Sequence, residues 1–311
     1  MDLSRLKVLR ELSRCGTMAA AAEALYLTPS AVSQQIAQLE VEAGVALTER
    51  RGRGVRLTPA GEALVGYAER VMVVLDEAKS EMAQLRREIA GELRVAAFPS
   101  IASVVLPQTV TALRRVFPRL QIILDEMEPT DGLAALRSWR VDVAIIDDLS
   151  TILDGKQSGI GRIPLTEDVL YALVPGRHEL ARKHSLSVSD LKREFWALDS
   201  TSSAYGDFIT NLCRRTGFEP RLNAACKGFE MVAAMVASGC SVSVAPGLRL
   251  TRKLEGIRAI KLRPEARRKI SVAYRSGEKD HPAVKVFVEE LLRSAALLSP
   301  HGSTTSSSAT S

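Results

Sequence analysis

From Leu64 onward, apolar or small residues recur at alternating steps of four and three: Leu64, Ala68, Val71, Leu75, Ala78, Met82, Leu85 and Ile89. A period held over more than three heptads demands one long helix with a continuous apolar seam. Thr58-Pro59 supplies its start, a hydroxyl to cap and a proline at the first helical position, where the missing N–H costs nothing. Gly91 supplies its end. The helix 59–90 thus separates a short segment, 1–58, from a much longer one, and 311 residues are too many for one ordinary core. Two readings of the seam stand together: packing on its own domain, or pairing with a second copy through Leu64, Val71, Leu75, Ala78, Met82, Leu85 and Ile89. A charged helix between two domains has little core nearby, which favours pairing.

The first segment reads as short helices followed by a basic hairpin. Leu6, Leu9 and Leu12 mark an amphipathic helix ending near Gly16, and Thr17 caps an alanine-rich helix that reaches Leu25. After the break at Tyr26-Leu27, Thr28-Pro29 repeats the cap-plus-proline start. In the helix it opens, Val32, Ile36 and Leu39 share one face while Ser33, Gln34, Gln35 and Gln38 lie elsewhere. Two short helices split by a few residues, the second polar outside, form a helix-turn-helix candidate. Arg50-Arg51-Gly52-Arg53-Gly54-Val55-Arg56 then interleaves four arginines with two glycines. Glycines suit a tight hairpin, and its arginines suit either plain solvation or a wing laid against phosphates.

Beyond Gly91 the pattern alternates. Strand 93–98, helix 104–117, strand 120–124, helix 133–139 and strand 141–146 argue for a mostly parallel α/β sheet. A second cycle runs through 165–174, 208–215, 231–237 and 242–245, and the last strand 270–274 and helix 283–297 can return to the first lobe. From Ser299 to Ser311, Ser, Thr and Gly dominate and predict a disordered tail.

Composition narrows the function classes. A net charge of +6 permits a polyanionic partner without requiring one. No apolar run is long enough to span a bilayer, and the N-terminus has no continuous apolar stretch of the secretory kind, so a cytoplasmic protein is expected. Cys15, Cys213, Cys226 and Cys240 have neither CxxC nor metal spacing and read as free thiols. His178, His184, His281 and His301 lack ligand spacing, Gly155-Lys156 lacks the earlier glycine of a phosphate loop, and there is no GxSxG elbow. No enzyme, metal or cofactor is expected.

In its motifs the chain resembles the LysR-type transcriptional regulators. Ala21-Ala22-Glu23-Ala24-Leu25, Thr28-Pro29-Ser30-Ala31-Val32-Ser33, Leu39-Glu40 and Leu57-Thr58-Pro59-Ala60-Gly61 carry the resemblance at the N-terminus. Gly91-Glu92-Leu93-Arg94-Val95, Phe117-Pro118, Val141-Asp142-Val143-Ala144-Ile145 and Gly217-Phe218-Glu219-Pro220-Arg221 carry it further along. The resemblance implies a winged helix-turn-helix over 1–58, a dimerising linker helix over 59–90 and a two-lobed α/β sensor of the periplasmic-binding-protein type II over 91–298. Its lobes fall at about 91–163 with 268–298, and at about 164–267. It also implies homodimers or homotetramers, often with one long and one compact subunit. Three departures stand out: Pro29 where relatives carry glutamine, Thr48 where a core phenylalanine is common, and Cys240-Ser241 in place of Leu-Gly.

On that reading the partners are double-stranded operator DNA, a small-molecule effector of anionic character, a second copy, and RNA polymerase if the protein activates. Thr28, Pro29, Ser30, Ser33, Gln34 and Gln35 are the recognition-helix candidates, and Arg50, Arg51 and Arg53 those of the wing. Ligands of open α/β sheets sit beyond strand carboxyl ends, which nominates Ser100, Ile101, Thr130, Ser202 and Ser203 for the effector. Helix capping is the plainer role for those hydroxyls. A periplasmic solute-binding protein would need a signal sequence, and an architectural DNA protein would need no two-lobed cleft.

Overall fold

Three helices open the chain, each started by a side-chain cap. Asp2 accepts from the Ser4 amide before α1 (Leu3–Cys15), Thr17 from Ala20 before α2 (Met18–Leu25), and Thr28 from Ala31 before α3 (Pro29–Ala43). Gly16, Tyr26 and Gly44 end them in the left-handed conformation. The hairpin follows: β1 (Thr48–Arg51) runs antiparallel to β2 (Gly54–Leu57), with Arg51 opposite Gly54. This computed structural model describes residues 1–51, 54–86, 89–149, 159–199 and 203–298, and the side chains of Arg51, Ser203 and Leu298 also lie outside the described set. The expected tail, 299–311, therefore falls outside it, as do Arg53 and Ser202.

Leu9, Leu12, Ala21, Val32, Ile36, Leu39 and Leu47 close the first core. Glu40 ties the hairpin to α3: its Oε1 accepts from the Leu47 amide at 2.8 Å, the Thr48 amide at 2.9 Å and the Thr48 hydroxyl at 3.0 Å. The threonine in place of a phenylalanine thus exchanges apolar packing for a hydrogen bond to a carboxylate.

The linker helix α4 (Pro59–Gln84) starts where expected, capped by Thr58. Gly61 is required there, because a Cβ would stand 2.1 Å from the Leu47 carbonyl oxygen. It ends sooner than the seam implies. Leu85 is its cap, and Ile89 lies beyond it, packed against the core of the next domain. An apolar residue at heptad spacing has been recruited by a different core, which periodicity alone cannot reveal. The seam also splits by partner. Leu64 and Ala68 join the first core, whereas Val71, Leu75, Ala78 and Met82 are exposed together with Tyr67 and Val74.

The remaining elements form two lobes. In the first, β3 (Gly91–Ala97) pairs in parallel with β4 (Leu120–Glu126) and β5 (Val143–Asp147). Around it pack α5 (Pro99–Val104), α6 (Leu106–Val116), α7 (Pro129–Arg137) and α10 (Pro282–Leu298). In the second, the 16-residue β6 (Ile160–Pro175) meets β10 (Ser243–Pro246) and β11 (Ile257–Leu262), and β11 meets β7 (Ser185–Leu186). There β8 (Phe195–Asp199) and β9 (Arg221–Cys226) make a parallel pair beside α8 (Ser203–Arg215) and α9 (Phe229–Ala237).

One strand pair spans both lobes. β12 (Arg267–Arg275) lies antiparallel to β5 and to the first part of β6, while the end of β6 belongs to the second lobe. The sheet is therefore mixed rather than mostly parallel. A strand that crosses between lobes and returns must pair antiparallel with its neighbour, and alternation of elements does not reveal that. Each lobe has its own core, around Leu106, Phe287 and Leu291 in one and Trp196, Ile209 and Leu191 in the other.

Candidate nucleic-acid interface and effector cleft

The outer side of α3 is short polar side chains on a rigid helix. Thr28, Pro29, Ser30, Ser33 and Gln34 are exposed, while Val32, Ile36 and Leu39 are buried beneath them. The Thr28 hydroxyl caps the helix and lies 2.9 Å from that of Ser30. Gln35 differs. It sits three residues after Val32 and four before Leu39, on the flank drawn inward, and its Oε1 is buried with no partner among the described residues. Its oxygen is therefore less open to a base edge than the exposed side chain of Gln34. Arg50 on β1 is exposed, and so is Arg56 on β2, opposite Glu49. Arg56 was missed as a candidate, although its place in the arginine run was signal enough. The Val55 amide donates to the Gly16 carbonyl at 2.9 Å and fixes the hairpin against the α1–α2 turn.

Between the lobes lies a cavity of about 60 Å³ that opens into a groove of about 1090 Å³, the two sharing Pro99, Glu128, Asp199, Phe229 and Arg249. At the centre of the smaller one is Arg268, 3% exposed. It donates to Asp168 from Nε at 3.0 Å and Nη2 at 2.7 Å, to the Ser100 hydroxyl at 2.7 Å, and stands 3.5 Å from Asp147. Phe98 lies under the guanidinium, 4.8 Å from ring centroid to carbon. Burial pushes the Asp168 carboxyl upward, opposed by Arg268 and by amide bonds from residues 247 and 248.

The effector candidates fare unevenly against this geometry. Ser100 lines the cleft, but its hydroxyl is already the acceptor for Arg268. Ile101 is fully buried in the first lobe's core and presents no side chain to the cleft, which corrects that assignment. Thr130 is exposed and lines neither cavity. Ser203 opens α8, with its side chain outside the described set. Helix α5 has six residues, and Glu128, Asp147 and Asp199 outnumber Arg249 and Arg268 around the cleft. Ser241 donates to the Asn223 side-chain oxygen at 2.7 Å, and neither it nor the exposed Cys240 lines the cleft.

Two family models match this chain. The bacterial regulatory helix-turn-helix protein of the lysR family covers residues 3–62, and the LysR substrate binding domain covers residues 86–296. The chain belongs to the LysR family of DNA-binding transcription regulators. It is 27% identical over 246 residues to the transcriptional dual regulator GltC of Bacillus subtilis, covering 79% of this chain and 81% of that one. To the dual regulator OxyR of Escherichia coli it is 26% identical over 280 residues, covering 89% and 90%. The full-length OxyR of Pseudomonas aeruginosa superposes with a TM-score of 0.62 at 25% identity, covering 94% of this chain and 98% of that one. CbnR solved with its target DNA gives a TM-score of 0.53 at 25% identity, covering 95% and 100%.

In this LysR-family chain the linker helix and DNA-binding segment dock on the first lobe through buried charge. Arg275 of β12 bonds Glu278 at 2.6 Å and Asp142 at 3.0 Å and lies 3.2 Å from Asp76 of α4. Trp139 donates its indole N–H to Asp76 at 3.1 Å, and Ser80 donates to the Gly277 carbonyl at 2.9 Å. Gly277 admits α4 because a Cβ would stand 2.5 Å from the Val73 carbonyl oxygen. Burial raises the Glu278 carboxyl to about 7, partly offset by Arg275 and reinforced by Asp76 and Asp142. On the other side of the joint Arg140 donates to the Tyr26 hydroxyl at 2.5 Å and stacks on its ring.

Proposed function

We propose that α3 enters the major groove of operator DNA with Ser30, Ser33 and Gln34 toward base edges, while Thr28 and the arginine hairpin hold phosphates. One observation carries the reading: a capped helix with its polar face fully exposed stands beside an arginine hairpin anchored through Glu40. The protein acts as a homodimer or homotetramer through the exposed apolar face of α4, namely Val71, Leu75, Ala78 and Met82 with Tyr67 and Val74. Leu64 serves the monomer's own core instead. The working division is DNA reading in 1–58, pairing in 59–84 and sensing from Gly91 onward. The chain is not an enzyme, works in the cytoplasm on the nucleoid, and contacts RNA polymerase if it activates.

An effector between the lobes biases their arrangement and so the spacing of paired DNA-binding segments. With Arg268 neutralised by two aspartates, the cleft suits a neutral or cationic effector better than an anion. Burial pushes the Cys213 thiol up to about 12 and raises those of Cys226 and Cys15, which disfavours these three as oxidation sensors, whereas Cys240 is exposed.

The test is binding titration against a set of operator variants. Gln34→Ala should change preference at one base position by about 1–3 kcal/mol. Arg50→Ala should weaken binding to every sequence and lower its salt dependence. A uniform loss for Gln34→Ala overturns the base-reading role.

A further inference from the structure

Where α1, α4 and the first lobe meet, they line a separate cavity of about 350 Å³. Four arginines face two carboxylates there: Arg10 and Arg14 line it from α1, Glu69, Met72 and Asp76 from α4, Arg137 and Trp139 from the end of α7, and Arg275 from β12. Arg10 is only 9% exposed, yet it is poorly served. Its Nη1 donates to the Met72 thioether at 3.7 Å, its Nη2 to the Arg137 carbonyl, and its Nε meets no acceptor among the described residues. The neighbouring Glu11 bonds Arg14 at 2.8 Å and keeps its other oxygen 3.7 Å from Arg10, too far for a hydrogen bond.

A buried guanidinium short of acceptors is an unstable arrangement unless something else supplies them. Its surroundings sharpen the need. Burial and the charges of Arg14 and Arg10, opposed by Glu11, bring Arg137 down to about 10, and burial lowers Arg10 too, against Glu11 and Glu69. Trp139 adopts a left-handed backbone with φ of 60°, uncommon for a bulky side chain, and its ring lies 4.6 Å from Arg10 and 4.7 Å from Lys7. Tyr26, on the other side of the same joint, is left-handed as well, and these two are the non-glycine residues with positive φ among the described residues. A strained aromatic beside a poorly served guanidinium, in a cavity within roughly the 300–1,000 Å³ typical of small-molecule pockets, marks a built site.

We propose that this cavity is a second ligand site, taking a small oxyanion, a carboxylate or a phosphate, on Arg10, Arg14 and Arg137. The anion completes the acceptors that Arg10 lacks and bridges the DNA-binding segment to the first lobe. Its occupancy is therefore linked to where α3 is presented. The site does not depend on what occupies the interlobe cleft.

The test titrates the full-length protein with inorganic phosphate and, separately, with phenylacetate, against chloride at equal ionic strength. Heat and tryptophan fluorescence are the readouts. Saturable binding of either oxyanion is expected, with Trp139 emission changing in step. Affinity should fall at least tenfold in Arg14→Gln and in Arg10→Met, and hold in the cleft variant Arg249→Gln and the surface variant Arg214→Gln. Phosphate binding alone identifies an inorganic oxyanion, and phenylacetate binding alone identifies an organic acid. If neither exceeds chloride, or if Arg14→Gln and Arg10→Met bind as the parent does, the site does not exist. Loss confined to Arg249→Gln would place the anion in the cleft and overturn it equally.

Discussion

Among the arginines buried beside cavities, Arg268 and Arg10 are in opposite condition. Arg268, in the interlobe cleft, has two aspartates and a serine hydroxyl within reach and is fully served. Arg10, at the joint of DNA-binding segment, linker and first lobe, has a thioether, one carbonyl and an idle Nε. Burial is nearly the same, so the difference is in acceptors. A cation whose partners come from its own chain is structural, since removing it strands buried carboxylates. A cation that lacks them contributes little to the fold and is available to a ligand. Charge follows the same division, with carboxylates outnumbering arginines in the cleft and arginines crowding the joint.

That contrast can be broken experimentally. Arg268→Ala should cost about 3–5 kcal/mol of unfolding free energy, because Asp168 and Asp147 are left buried without their counter-charge. A loss below about 1 kcal/mol in denaturant titration would put Arg268 in the same class as Arg10. Gly277→Ala should cost about 1–3 kcal/mol and loosen α4 from the first lobe, since the new methyl meets Val73 and Asp76. Small-angle scattering would register the more extended subunit, and an unchanged profile would show that the joint repacks.

Glu278 supplies a pH test of the same joint. Its carboxyl is raised from 4.5 to about 7, so the folded state holds the proton more tightly. Its contribution is fully present below about 4.5 and is lost as pH rises through about 7. Glu278→Gln, neutral throughout, should flatten the fall in melting temperature across that window, and a slope identical to the parent's would sink the assignment. The smallest effect is expected for Arg10→Met, within about 1 kcal/mol of the parent. A large destabilisation there would mean that Arg10 is a structural cation after all.

Much of the DNA-binding segment was legible beforehand because its signals are local. Cap residues, proline at the first helical position and glycine at the last are satisfied within a few residues of where they stand, so Thr17, Thr28 and Thr58 marked helix starts without reference to anything distant. The heptad seam was also local and did yield a helix. It could not say which core each apolar residue serves, and Leu64, Met82 and Ile89 have three different fates. Gln35 shows the same limit on one helix, its polar atom turned inward by the flank it happens to share with Val32 and Leu39.

The effector cleft was the least legible region. Placing ligands beyond strand ends nominated the loop after β3, where Ser100 lines the interlobe cleft, yet Arg268, which its hydroxyl meets, is 168 positions further along the chain. Nothing near Ser100 announces that its hydroxyl is spoken for. Sequence alone determined the family, the order of domains and the boundaries of elements whose caps are local. Tertiary structure alone decided which charges are neutralised, where β6 passes from one lobe to the other, and how α4 divides its faces among the first core, the first lobe and solvent. The reason is physical: capping and periodicity act over one or two turns, whereas the pairing of buried charges depends on which distant strands the fold brings side by side.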